Sequence, residues 1–180
     1  LAQELQLTVR GQDKIGIIGP NGVGKSTLLA KLHQLLSGKR EISLGFMPQD
    51  YQETLHLDLS PVEFLSQTGH KEEIQKIQSR LASLNFSYPE IHHQVHSLSG
   101  GQQGKLLLLN LVLRKPNFLL LDEPTRNFSP TSQPEIRKLF ASYPGGLITV
   151  SHDRRFLKEV CTSIYSLTEH GLEVVDLQDI

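Results

Sequence analysis

The chain has 180 residues, of which 38% are apolar, 21% charged and 6% aromatic. That length and mixture suit one core-forming domain and exclude low-complexity disorder and collagen-like repeats. Lys and Arg total 18 against 19 Asp and Glu, so the near-neutral field does not by itself draw nucleic acid or an anionic membrane. A single cysteine, Cys161, excludes an intramolecular disulfide and argues against a cysteine-built zinc site. The longest apolar stretches, Leu106–Leu113 and Phe118–Leu121, fall far short of the ~18–20 residues that cross a bilayer. No transmembrane segment and no charged-then-apolar leader is expected, and the location expected is cytoplasmic. The opening on Leu1, straight into strand-like sequence, reads as a domain of a longer polypeptide.

In chain order, Leu5, Leu7 and Val9 alternate with polar neighbours and predict a half-buried strand over Leu5–Val9. Lys14–Ile18 is a short apolar strand running into Gly19. Gly24–Leu36 reads as a helix stopped by Gly38, and Ile42–Met47 as another strand. Ser60-Pro61-Val62-Glu63 joins a capping box to a proline at the first helical position, so a helix starts there. Ile74, Ile77, Leu81 and Leu84 mark one face of an amphipathic helix over 70–84. Gly100–Arg114 is apolar nearly all round after its first turn, which predicts a buried helix, and Asn117–Asp122 is a buried strand. Ser132-Gln133-Pro134-Glu135 repeats the capping pattern and opens a helix to about Tyr143. Pro144-Gly145-Gly146 then turns the chain into the strand Leu147–Ser151. Short strands around Ser163–Leu167 and Leu172–Val175 follow. The expected fold is α/β, a mostly parallel sheet flanked by helices, forming a single domain over 1–180. Its catalytic core spans about 1–50 and 99–180, with an inserted α-helical subdomain at about 51–98.

The chemistry concentrates in three segments. Gly19-Pro20-Asn21-Gly22-Val23-Gly24-Lys25-Ser26-Thr27 fits G-x-x-x-x-G-K-[ST] between a strand and a helix, as a phosphate-wrapping P-loop requires. Glycines let consecutive N–H groups turn inward, and the helix N-terminus adds partial positive charge. Lys25 then reaches the β- and γ-phosphates of ATP, and the Ser26 hydroxyl ligates Mg²⁺. Phe118-Leu119-Leu120-Leu121-Asp122-Glu123-Pro124-Thr125 is an apolar strand ending in two carboxylates. Read with the P-loop, Asp122 sits near the metal and Glu123 serves as general base on water; read alone, the pair is equally a solvated acidic turn. Leu98-Ser99-Gly100-Gly101-Gln102 opens the apolar helix and offers a second anion site at a helix N-terminus, or simply an N-cap. One nucleotide cannot occupy two loops lying far apart on one subunit, so two subunits sharing their sites is the natural resolution.

The order of P-loop, Gln49, Leu-Ser-Gly-Gly-Gln, Asp-Glu-Pro-Thr and Ser151-His152-Asp153 resembles the ATP-binding cassette (ABC) ATPases over nearly the whole chain. The resemblance implies that Gln49 senses Mg²⁺ and the water. Ser99 and Gly101 touch the γ-phosphate held by the opposite subunit, Glu123 is the catalytic carboxylate and His152 holds the γ-phosphate. Gln102-Gln103-Gly104-Lys105-Leu106, Ser-His-Asp-Arg154-Arg155-Phe156-Leu157 and Gly45-Phe46-Met47-Pro48-Gln49 further resemble the ABC-F branch, soluble tandem-cassette proteins that act on ribosomes. The implied partners are a second cassette, in the same chain or as a homodimer, and the ribosome, reached through linker regions that this sequence does not contain. The rival expectations are the ATP-binding subunit of a membrane transporter, and a clamp that works by binding nucleotide rather than by turnover.

The sequence also departs from the ABC-F pattern. Where Asn-His-Leu-Asp usually follows Asp-Glu-Pro-Thr, this chain has Arg126-Asn127-Phe128-Ser129, a variant that looks like second cassettes of the antibiotic-resistance-like subset. Residues 1–18 hold no Phe, Tyr or Trp to stack on adenine, which places that aromatic upstream of Leu1 and makes the isolated domain a weak ATPase. His92, His93 and His96 read as an exposed polar helix end, and Arg154 and Arg155 as a solvated face.

Overall fold

In the computed structural model, which describes residues 6–50 and 54–180, the apolar runs become strands of one sheet. The strands are β1 (Lys14–Ile18), β2 (Leu44–Met47), β3 (Phe118–Asp122), β4 (Gly146–Val150), β5 (Ser163–Thr168) and β6 (Gly171–Val175), ordered β2-β3-β4-β1-β5-β6. Every neighbouring pair is parallel except β5 and β6. Parallel strands are covered on both faces, which is why β1, β3 and β4 read as continuous apolar runs rather than alternating ones. The α-helices of the described residues are α1 (Lys25–Leu36), α2 (Pro61–Leu65), α3 (Lys71–Ser83), α4 (Tyr88–His92), α5 (Gly100–Arg114), α6 (Gln133–Ala141) and α7 (Arg154–Val160).

The chain divides into two compact units. The first comprises the described residues through Gln49 together with Pro116–Ile180. Its core gathers Ile15, Ile17, Leu29, Leu120, Ile148, Val150 and Leu167, all nearly inaccessible to solvent. Helix α1 packs over β3 and β4, while α6 packs on α7 through the edge-to-face rings of Phe140 and Phe156. The Arg137–Glu159 ion pair at 3.0 Å joins the same two helices. Helix α7 was not anticipated. Asp153 caps it by accepting from the N–H groups of Arg155 and Phe156, and Phe156, Leu157 and Val160 bury its inner face.

Three expectations for this unit are corrected. Residues 6–9 form no strand, and Leu5 lies outside the described residues. Leu7 and Val9 pack against the core cluster, so their alternation reflects burial of side chains rather than pairing of backbones. Strand β2 starts at Leu44, two residues later than expected, because Ile42 N–H closes a turn onto the Lys39 carbonyl. Helix α6 starts at Gln133 as expected but without its capping box. Ser132 has helical backbone angles and its hydroxyl meets that of Ser129 at 3.1 Å. The helix ends at Ala141, and the Tyr143 hydroxyl bonds the Pro116 carbonyl beyond it.

The second unit, Asp50–Lys115, is helical. Helix α2 begins at the predicted capping box, with Ser60 N–H donating to Glu63 Oε2 at 2.8 Å and Glu63 N–H to Ser60 Oγ at 3.3 Å. Glu73 gathers the connection to α3, accepting from the N–H groups of Gln67, Thr68 and Gly69 and the hydroxyls of Ser66 and Thr68. Those donors hold its carboxyl at about 2, well below the usual carboxylate range. Helix α5 belongs to this unit, so the helical part extends to Lys115 rather than 98. The physical reason is local: α5 packs on α2, and the Gln103 amide donates to the Val95 and Leu98 carbonyls.

Leu120 is 0% exposed at the centre of β3. Leu120→Ala should therefore lower unfolding stability by about 2–5 kcal/mol. Equilibrium urea denaturation should show a reduced midpoint with an unchanged slope.

Candidate functional site

The P-loop connects β1 to α1, and two of its glycines are required by geometry. Gly24, the residue before α1, has φ 103°, in the left-handed region. Gly19 has φ 148°, and a Cβ there would lie 2.6 Å from the Leu167 carbonyl oxygen. Lys25 is only 7% exposed, and its Nζ donates to the carbonyls of Gly19 at 2.8 Å and Pro20 at 2.9 Å. Those are neutral acceptors, and an anionic phosphate oxygen is a stronger partner for an ammonium. Val23 packs inward against the core cluster, anchoring the loop.

At the end of β3 the chain turns sharply. Glu123 has φ 51°, uncommon for a residue with a side chain, and its N–H donates to the Val150 carbonyl at 2.9 Å. Its Oε2 accepts from His152 N–H at 3.3 Å, while His152 Nε2 lies 3.6 Å from Oε1, too long for a hydrogen bond. Burial pushes the Asp122 carboxyl above the usual carboxylate range, opposed by a hydrogen bond from Ser26 and by the charges of Lys25 and Arg126. Burial also raises Glu123, opposed by His152 and Lys25 and reinforced by Asp122. Among the described residues, Asp122 Oδ1 and Glu123 Oε1 are buried with no hydrogen-bond partner. A buried carboxylate oxygen beside a serine hydroxyl is the hard-oxygen donor set that suits a divalent cation such as Mg²⁺.

These groups share a cleft of about 660 Å³, within the range of small-molecule sites. It brings together Lys25, Ser26, Gln49, Asp122, Glu123 and His152, all singled out in the sequence. Asn21, Gly22, Gly24 and Thr27 of the P-loop line it too. Arg126 also lines it and was not anticipated; the signal was a cation directly after Asp-Glu-Pro-Thr.

The cleft is built from the first unit alone, whereas Leu98, Ser99, Gly100, Gly101 and Gln102 belong to the helical unit. Leu98 is buried, and Ser99 caps α5 in a reciprocal box. Ser99 N–H donates to Gln102 Oε1 at 3.0 Å and Gln102 N–H to Ser99 Oγ at 3.3 Å. The Gln102 amide nitrogen donates to Glu90 Oε1 at 2.6 Å. Helix α4, which supplies Glu90, was expected only through the helix end read at His92, His93 and His96, although Ser87-Tyr88-Pro89-Glu90 carries the same capping pattern as Ser60–Glu63. His92, His93 and His96 are exposed, and the His92 ring stands against Tyr88.

The profile of the ABC transporter family matches residues 2–126. The probable ATP-binding protein YbiT of Escherichia coli O157:H7 is 34% identical over 93% of this chain, and the probable ATP-binding protein YheS of Escherichia coli K12 is 31% identical over 98%. ABC transporter F family member 2 of Arabidopsis thaliana is 29% identical over 96%. The chain spans 33%, 29% and 26% of the lengths of these relatives, about a third or less. Among solved structures, the post-hydrolysis ATP-binding cassette MJ0796, a dimer bound to ADP and Pi, superposes with a TM-score of 0.80. It is 19% identical and covers 98% of this chain and 90% of its own. The expected α/β cassette fold is therefore present. Among the described residues, no helix is long and apolar enough to cross a membrane.

Because Asp122 and Glu123 have raised proton affinities when folded, the folded state holds protons that the unfolded state releases as pH rises through the ordinary carboxylate range. The pair thus costs stability toward neutral pH, and the cost vanishes below both sets of values. Nucleotide-free, metal-chelated D122N and E123Q variants should be at least as stable as the parent at pH 7. That difference should shrink toward about pH 4 in thermal melts.

Proposed function

Because this chain belongs to the ABC transporter family as one of its ATP-binding cassette domains, we propose that it is a cassette of the ABC-F type. In this reading it binds and hydrolyses MgATP, works on the ribosome in the cytoplasm, and belongs to the antibiotic-resistance-like subset. One observation carries the enzymatic part: a P-loop ammonium and two carboxylates, each with a buried, unpartnered oxygen, line the same cleft. The ABC-F part rests on relatives that include an ABC transporter F family member, and on the Ser-His-Asp-Arg-Arg-Phe-Leu run at Ser151–Leu157.

The chemistry follows from the positions of the side chains. Lys25 exchanges the Gly19 and Pro20 carbonyls for oxygens of the β- and γ-phosphates, and the residues Gly19–Thr27 wrap the polyphosphate with their N–H groups. Ser26, Asp122 and Gln49 are the residues that would hold Mg²⁺, which neutralises charge on the phosphate oxygens when bound. Glu123, with its proton affinity raised by burial, accepts a proton from the attacking water. The water oxygen bonds to the γ-phosphorus as the bond to the β-phosphate oxygen breaks, and ADP leaves with that electron pair. His152, held at the Glu123 carboxylate, steadies the γ-phosphate. Leu98–Gln102 serve the ATP of an opposing cassette, supplied by the same polypeptide or by a second copy.

Lys25→Ala should abolish MgATP binding in a calorimetric titration, since no other cation of the loop faces the phosphates. Glu123→Gln should keep binding and stop phosphate release, because an amide accepts no proton; turnover near that of the parent would remove Glu123 from the role of base.

The shared-site reading makes the isolated chain a slow ATPase whose phosphate release climbs faster than linearly with protein concentration. Strong activity strictly proportional to concentration would overturn it. Ribosomal particles should co-purify with the full-length protein, and membrane subunits in their place would overturn the ABC-F assignment.

A further inference from the structure

We propose that Arg126 contacts substrate, gripping the terminal phosphate of ATP and setting the preference for ATP over ADP. This rests on the reading of the cleft as the nucleotide site. The argument starts with the backbone. Glu123 N–H is fixed to the Val150 carbonyl, Arg126 N–H donates to the Glu123 carbonyl at 3.1 Å, and Phe128 N–H to the Thr125 carbonyl at 3.2 Å. Thr125 and Phe128, on either side, are 3% and 6% exposed. The turn is therefore pinned at both ends, and the Arg126 side chain is delivered to the cleft rather than left to a mobile loop.

Arg126 is exposed and lines the cleft together with Glu123, His152 and the P-loop residues Asn21 and Gly22. Among the described residues it forms no ion pair within 4.0 Å, whereas Lys25 is buried and tied to two carbonyls. Its charge nonetheless reaches Asp122. A polyphosphate entering a cleft that already holds two carboxylates needs cations, and Lys25 alone supplies one. A planar fork of N–H donors can hold two oxygens of one phosphate at once, which a single ammonium cannot do.

Position decides which phosphate is read. The P-loop N–H groups surround the inner phosphates, which ATP and ADP share, and Lys25 bridges from the β- to the γ-phosphate. Arg126 lines the same cleft as Glu123 and His152, the residues assigned to the water and the γ-phosphate. A cation there strengthens ATP and leaves ADP nearly untouched.

The experiment titrates the nucleotide-free protein with MgATP and MgADP by calorimetry, for the parent and for Arg126→Ala, Arg126→Asn and Arg126→Lys. Arg126→Ala and Arg126→Asn should weaken MgATP roughly tenfold or more, the loss of a charge-assisted bond, while MgADP changes less than about twofold. Arg126→Lys should keep part of the ATP affinity, and it carries the test if the alanine variant does not fold. Parallel losses for both nucleotides would mean a structural role and would overturn the inference, as would no loss for either. A parent protein that binds neither nucleotide would instead sink the reading of the cleft itself.

Discussion

The parallel pairing of β1, β3 and β4 is the constraint on which the site depends. In a parallel sheet all strands end at the same edge, and ligands collect there. The register makes this concrete, because Val150 stands opposite Ile17 on one side and Asp122 on the other. One line across the sheet therefore carries the residue before the P-loop approach, the residue before Ser151-His152, and the first of the two carboxylates. Met47 stands opposite Leu121 on β2, which brings Gln49 to the same edge two residues later. No long-range steering is needed to gather six functional side chains. The strands deliver them together because their hydrogen-bond ladders leave no other register for the apolar faces.

What the sheet delivers is costly to keep. Glu123 adopts a left-handed backbone angle, worth about 1–2 kcal/mol against a residue with a side chain. Beside it, two carboxylates are desolvated, and each has an oxygen without a partner among the described residues. The core offsets these costs. Ile15, Ile17, Leu120, Ile148 and Val150 bury the strand interiors directly beneath. Strain and unpaired charge sit at the strand tips, and apolar burial sits in the strand centres. A cation would relieve the electrostatic part and leave the backbone strain.

Burial was legible in the sequence wherever it took the form of long apolar runs. Lys14–Ile18, Phe118–Asp122 and Gly100–Arg114 were read with their natures intact because full burial demands apolar residues at nearly every position. Partial burial misled. Leu7 and Val9 alternate as a strand would, yet they only rest on the core, since periodicity registers side-chain environment and not hydrogen bonding. Helix α4 has five residues and α7 seven, too few for a repeating stripe, and their caps, Ser87–Glu90 and Asp153, announced them. Ser132 shows the opposite failure: the capping letters were present, but its backbone stayed helical and its hydroxyl turned to Ser129. The side to which a buried helix belongs was not legible for α5, because an apolar surface does not name its neighbour. The cleft residues fared better, since the P-loop and the carboxylate pair are fixed by local chemistry. Arg126 escaped because its direction is set by the Glu123 turn, which sequence spacing does not reveal.

The helical unit shows how one carboxylate can set a distant hydroxyl. An ionised Glu90 accepts and never donates, and its Oε2 is already taken by the Ser87 N–H and hydroxyl. Its other oxygen therefore demands the NH₂ end of the Gln102 amide. That leaves Gln102 Oε1 facing Ser99, where it accepts from both the N–H and the hydroxyl. The amide cannot flip without placing a carbonyl oxygen against a carboxylate, so Ser99 is held with its hydroxyl at the exposed start of α5. Glu90 itself is fixed because it caps α4. Two helix N-termini thus lock one another through a single side chain, which fixes the Ser99 hydroxyl with its one proton donated to Gln102 Oε1. The ordering cost of the Ser99–Gln102 turn is thereby met during folding rather than at the moment of any contact.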